Sequence, residues 1–199
     1  MKLLRSILFR RRRIDYLILV GGPSGVGKST LIDAMSADTQ LRKRFDVPAR
    51  FQPAFANHLD RLSRRRSRCV VLHYDTMRPF KRGWSSFAND AALEITAEAD
   101  AISAITLVCP STELRCRMEA RWHRAGTPLL HGAYGNPSLL RHWHEAWITH
   151  MHQVAGHRHR IIAADPSYTE LTPDRAAELI EGGEALPLQQ SSAAPSGSS

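Results

Sequence analysis

Four apolar runs punctuate the chain. Tyr16-Leu17-Ile18-Leu19-Val20 is unbroken, and Cys69-Val70-Val71-Leu72, Ile102 to Cys109, and Ile161-Ile162-Ala163-Ala164 resemble it. Continuous runs of this length are the signature of strands buried on both faces of a parallel sheet, where neither face can be polar. Between them the apolar positions change period. Leu114, Met118 and Trp122 form a helical stripe over 112–124, with Ser111 as its N-cap. Leu140, Trp143, Trp147, Met151 and Val154 form a longer one, closed by Gly156. Helices are also expected over 28–37, over 54–62 from the spacing of Phe55, Leu59 and Leu62, and over 90–101. A last helix starts at Thr172-Pro173-Asp174, where a cap, an N1 proline and a first-turn acid coincide, and ends near Glu181. Strands alternating with helices predict an α/β fold, a three-layer doubly wound parallel sheet.

The first strand runs into Gly22-Pro23-Ser24-Gly25-Val26-Gly27-Lys28-Ser29-Thr30. This is G-x-x-x-x-G-K-S between a strand and a helix, the context in which such a loop cradles phosphate. Glycines let the backbone turn its N–H groups onto an anion, and the positive end of the following helix points the same way. Lys28 is placed to reach β- and γ-phosphates, and the Ser29 hydroxyl to ligate Mg²⁺. The second strand ends in an acid, Asp75, on the edge of the sheet that carries the loop. A carboxylate there suits the magnesium shell or the proton of an acceptor hydroxyl. Arg78, Lys81 and Arg82 fall in an expected loop over that crevice. Arg117, Arg121 and Arg124 are spaced by four and three, so one helical face carries all three, and phosphate would relieve their repulsion. We read Lys28, Asp75, Arg117, Arg121 and Arg124 as candidate catalytic groups, and Ser29 and Asp75 as candidate metal ligands.

Six histidines lie between His142 and His159. Their spacing lacks the three- or four-residue pairs that put two ligands on one helical face, so they read as surface residues. The 199 residues carry a formal net charge of +8. That balance suits polyphosphate ligands, and also nucleic acid or anionic lipid. Nucleic acid ranks last, because no aromatic residues interleave Arg64-Arg65-Arg66 and Arg68. Three cysteines, Cys69, Cys109 and Cys116, show no framework, which favours a reducing cytoplasm. No run approaches the length of a membrane span. Residues 1–13, ending in four arginines, read as a basic arm with weak lipid affinity at most. Residues 14–183 read as one domain, and 184–199 as a disordered tail.

Gly22 to Leu31 resembles the G-P-S-G-x-G-K-S-T-L of the guanylate-kinase group within the P-loop nucleoside-monophosphate kinases. The apolar strand ending at Asp75, the Pro110-Ser111 turn and the arginine-rich helix to Arg124 are similar too, and Ile161 to Ser167 matches the place of the base-side loop. The resemblance spans roughly 14–182. It implies transfer of the γ-phosphoryl group of ATP, with Mg, to a small acceptor (a nucleotide, sugar or sugar phosphate). The group's acceptor-reading pattern is not found between Asp38 and Arg68, so the acceptor stays open. The run from Arg121 through Arg124 to Pro128-Leu129-Leu130 looks faintly like small-metabolite kinases. A non-catalytic nucleotide-binding module is the alternative. The guanine-reading N-K-x-D and the transporter L-S-G-G-Q are both absent.

Overall fold

The computed structural model describes residues 14–59, 68–125, 134 and 136–182. The expected arm and tail, Arg64 to Arg66 and Pro128 to Leu130 lie outside them. A six-stranded sheet in the order β2-β3-β1-β4-β5-β6 forms the middle layer. Its strands are β1 (Ile14–Gly22), β2 (Gln52–Phe55), β3 (Cys69–Asp75), β4 (Ala99–Val108), β5 (His159–Ala163) and β6 (Glu170–Leu171). All pairings are parallel except the short antiparallel β5–β6 pair. The helices are α1 (Lys28–Ala37), α2 (Thr39–Arg44), α3 (Arg78–Arg82), α4 (Ser111–Ala125), α5 (Pro137–Ala155) and α6 (Pro173–Ile180). The fold class read from the sequence is the observed one.

Central β1 is buried from Leu17 to Gly22, as its unbroken apolar run requires. Its register puts Gly21 beside Tyr74 of β3 and Thr106 of β4. The indole of Trp147, from α5, lies over all three. It stacks on Tyr74 at 4.9 Å between centroids, and its Nε1–H donates to Thr106 Oγ1 at 2.8 Å. A Cβ on Gly21 would sit 2.6 Å from the same ring. Glycine in mid-strand therefore lets the longest helix close on the sheet.

Several expectations fail for identifiable reasons. Of the helix expected over 54–62, the described residues 54–59 do not open as one, and 60–62 lie outside the described residues. Gln52–Phe55 is the edge strand β2, paired with β3, where Pro53 is tolerated because an edge leaves one side without a ladder. Residues 90–101 form a 3-10 helix, Ala91–Glu98, and β4 begins at Ala99, earlier than the expected Ile102. The loop over 77–84 contains α3. The Asp38 carboxylate caps α2 by accepting from Gln40 N and Leu41 N, an element the charge run hid. His144 is 6% exposed, so the surface reading of the histidines is wrong there. Cys69 and Cys109 are buried, as their apolar runs implied, and burial pushes both thiols up to about 12. Among the described residues no helix is long and apolar enough to cross a membrane.

Candidate active site

The phosphate loop lies where β1 ends and α1 begins. Gly22, Gly25 and Gly27 have φ of 146, 87 and 110°, a region that favours glycine. Two of them also make close approaches: a Cβ on Gly22 would meet Leu107 O at 2.7 Å, and one on Gly25 would meet Met118 Sδ at 2.7 Å. No side chain caps α1. Its first-turn amides are therefore left for a ligand, which is the arrangement that binds anions. Lys28 is 3% exposed, and its Nζ donates to Gly22 O and Pro23 O, both at 2.7 Å. Burial, partly offset by Asp75, lowers its pKa to about 8.

Asp75 lies in register with Gly22 across β1 and β3. Its Oδ2 accepts from Ser24 Oγ at 2.9 Å and from Lys81 Nζ at 2.5 Å. Met77 N donates to Oδ1 at 3.1 Å. Burial alone would raise this carboxyl, but Lys28 and Lys81 outweigh it and hold it below the usual carboxylate range. Lys81 also donates to Ser24 Oγ at 3.2 Å, and its Nζ is 5.1 Å from the Tyr134 ring centroid. Asp75 in turn overcomes the burial of Lys81 and raises its pKa.

Two cavities flank the loop. One, of about 490 Å³, is lined by Ser24, Ser29 and Asp75 together with β2, α3 and Arg121. The other, of about 610 Å³, is bounded by Gly25 to Gly27, Thr30, Arg117, Arg121, Arg124 and the segment Ala164–Tyr168. Arg121 borders both. Arg117 is held otherwise: Nη1 donates to Val26 O at 2.9 Å, and Nη2 donates to Glu113 at 2.6 Å and to Ala164 O at 3.3 Å. Exposed Arg124 donates from Nε to Ala120 O at 3.1 Å. Every candidate site residue thus gathers around the loop, with Arg117 bonded to the loop itself.

His73, which no motif pointed to, and Arg78, expected over the crevice, complete the first cavity. His73 lines it; its ring lies 5.2 Å from that of Phe55, and burial with Lys28 nearby lowers its pKa to about 4. Arg78 is anchored by Asp90, whose Oδ2 accepts from Arg78 Nε at 2.6 Å and from Tyr74 OH at 2.7 Å. Arg78 also bonds the Asn57 side-chain carbonyl. The only sequence signal for this anchor was an Asp at a helix start.

No family model matches the chain, and no curated protein matches it. Among solved structures, a chain from the PezAT chromosomal toxin-antitoxin system of Streptococcus pneumoniae is similar at 12% identity and a TM-score of 0.54. That match covers 93% of this chain and 86% of the other. A chain described as a fructose transport system kinase from Silicibacter sp. TM1040 is similar at 16% identity over 67% of this chain and 84% of the other. Its TM-score is 0.36. Strand order, loop and flanking helices give this chain a P-loop kinase-type fold. At such identities the likeness concerns the fold and leaves the chemistry to the site.

Proposed function

We propose that this chain is an ATP- and magnesium-dependent phosphotransferase acting on a small anionic acceptor. The observation that carries this reading is the pair of cavities meeting at the phosphate loop and Arg121. A donor nucleotide in the larger would hold its phosphates on the amides of Gly25 to Ser29 and on Lys28, with its base against the Ala164–Tyr168 segment. The acceptor would enter beside Asp75. The acceptor hydroxyl oxygen attacks the γ-phosphorus, the bridging P–O bond breaks, and ADP leaves with that bridging oxygen. Transfer of this kind is mainly positioning and neutralisation of charge. Magnesium, when bound, would supply part of that neutralisation, and Ser29 and Asp75, both lining the cavity beside the loop, are the oxygen donors that would hold it. Asp75, if not in the metal shell, orients the acceptor hydroxyl and takes its proton. Arg121 stabilises charge on the transferring group.

The acceptor side argues for an anion. Among its described lining residues, Arg78, Lys81, Arg82 and Arg121 face the single carboxylate of Asp75. A screen of nucleotides, sugar phosphates and sugar acids, read as acceptor-dependent ADP release, tests the reading. We expect release with at least one anionic acceptor and its loss in Lys28→Ala. Unchanged turnover in that variant would overturn the proposal.

The second reading is a nucleotide-binding module without transfer. It draws support from Lys28 satisfying itself on loop carbonyls and from Asp75 being engaged by Ser24 and Lys81. ATP-dependent protease protection with no acceptor phosphorylated would favour it. A cytoplasmic setting is part of either reading and rests on three free thiols.

A further inference from the structure

A third cavity lies away from the phosphate loop. Tyr16 pairs with Ala101, and Ile105 with Arg160, so these side chains share one face of the sheet. Phe45 and Asp46, just past α2, help wall a cavity of about 510 Å³ on that face. It shares no described lining residue with the two cavities at the loop. Tyr16 and Ala101 stand near the amino ends of β1 and β4, whereas substrates of open α/β sheets bind beyond the carboxyl ends. Phosphoryl transfer therefore does not require this space.

Its wall is equipped for a ligand. Tyr16, Phe45 and Ile105 offer flat or apolar surface. Arg158 is exposed and makes no ion pair among the described residues. Arg160 pairs at 3.0 Å with Asp46, the one acid among the cavity's described lining residues, and lies 3.9 Å from Glu170. Ser103 is 7% exposed, and its hydroxyl has no hydrogen-bond partner among the described residues. Asp46 itself has φ 55, a left-handed conformation that aspartate adopts more readily than most residues, and it holds the turn after α2.

The same wall connects to the nucleotide side. Arg160 Nη1 donates to Arg44 O at 2.9 Å. The Arg44 guanidinium donates to Ser167 O and Tyr168 O, each at 2.7 Å. Tyr168, with Asp165 and Pro166, lines the larger cavity at the loop. An anion drawing Arg160 from Asp46 would shift the end of α2 and, through Arg44, that segment.

We propose that this cavity is a regulatory site for a small flat organic anion. Its carboxylate or phosphate head would lie on Arg158 and Arg160 and its body against Tyr16, Phe45 and Ile105, and its occupation would change nucleotide affinity through Arg44. The probe is benzoate at millimolar concentration. Saturable amide shifts at Phe45, Asp46, Ser103 and Ile105 in heteronuclear NMR, lost in the surface variant Arg158→Glu, are the expected result. Benzoate should then change the Kd of a fluorescent ATP analogue by about 5-fold or more, and Arg44→Ala should abolish that response. Absent shifts, or shifts confined to Gly25–Lys28, would overturn the site, and an unmoved Kd in the unaltered chain would overturn the regulation. The amide shifts stand apart from phosphoryl transfer, so a failed acceptor screen leaves them to decide the site.

Discussion

Replacing Asp90 tests how the acceptor side is held. Asp90 is 2% exposed and serves three donors: Tyr74 OH at 2.7 Å, Arg78 Nε at 2.6 Å and Ala92 N at 2.9 Å. Tyr74 is fully buried, and the Arg78 side chain is 15% exposed. Asp90→Ala leaves the hydroxyl without an acceptor, at about 1–3 kcal/mol. It leaves the guanidinium without its carboxylate and removes a cap worth about 1 kcal/mol. These terms overlap, and losing one partner of a buried pair costs about 3–5 kcal/mol in all. With a urea m-value of about 2 kcal/mol/M, the unfolding midpoint should fall by about 1.5–2.5 M.

Asp90→Asn separates charge from hydrogen bonding. The amide oxygen still accepts from Tyr74, so the loss should be about 1–2 kcal/mol. The assay is equilibrium urea unfolding followed by tryptophan fluorescence, since Trp143 and Trp147 both pack on Phe87 beside this network. A cycle with Tyr74→Phe should return a coupling of about 1 kcal/mol. Once an acceptor is known, the alanine variant should raise its KM more than it lowers kcat, because Arg78 would lose its anchor. A midpoint change below about 0.5 M, or equal losses for the alanine and asparagine variants, would refute the account.

Lys28 gives a pH prediction. Burial lowers its pKa from 10.5 to about 8, so from pH 8 to 10.5 the unfolded chain holds a proton that the folded chain does not. Stability from this residue should rise across that window. Phosphate restores the proton, so nucleotide binding at a pH near 9 should take up close to one proton, measured by calorimetry in buffers of different ionisation heat; a buffer-independent heat would contradict it. Gly21→Ala should lower the melting temperature and cost about 1–3 kcal/mol, because its Cβ would lie 2.6 Å from Trp147; an unchanged melting curve would show that the indole moves freely. Arg121→Ala should reduce kcat by about 100-fold or more, while Arg124→Ala, already bonded to Ala120 O, should change it by less than about 10-fold; steady-state rates that reverse this order would reassign the arginine.

The sheet was legible because burial on both faces leaves β1, β3, β4 and β5 with short apolar runs, and their length and the turn residues that bound them favour strands. The loop was legible because its glycines and lysine are fixed by the geometry of phosphate binding. What escaped was set by partners far away in sequence. Gln52–Phe55 has no strand pattern of its own, and its ladder with β3 decides it. Residues 90–101 have helical composition, but Asp90 faces Tyr74 and Arg78, and Ala99 is claimed by β1 through Ile14. His144 sits at a position whose burial only the packing of α5 reveals. The bonds of Arg44 to Ser167 and Tyr168 span more than a hundred residues, which no local pattern records.

The spacing of Arg117, Arg121 and Arg124 treats them as equivalent, and their bonds separate them. The Arg117 guanidinium gives one terminal nitrogen to Val26 O, inside the phosphate loop. The other it gives to Ala164 O and to Glu113. Such a fork joins the loop to the segment after β5 across the larger of the two cavities. To reach a transferring phosphoryl group it would first have to release the loop that holds the donor. Arg121 has no such bond among the described residues and borders both cavities, so of the three it is the one the proposed transfer would use to meet charge developing between donor and acceptor. Repulsion along the arginine face is thus relieved at Arg117 by Glu113 and by carbonyl oxygens. Among the described residues the cation at Arg121 has no ion pair, which in the proposed reaction leaves it for phosphate.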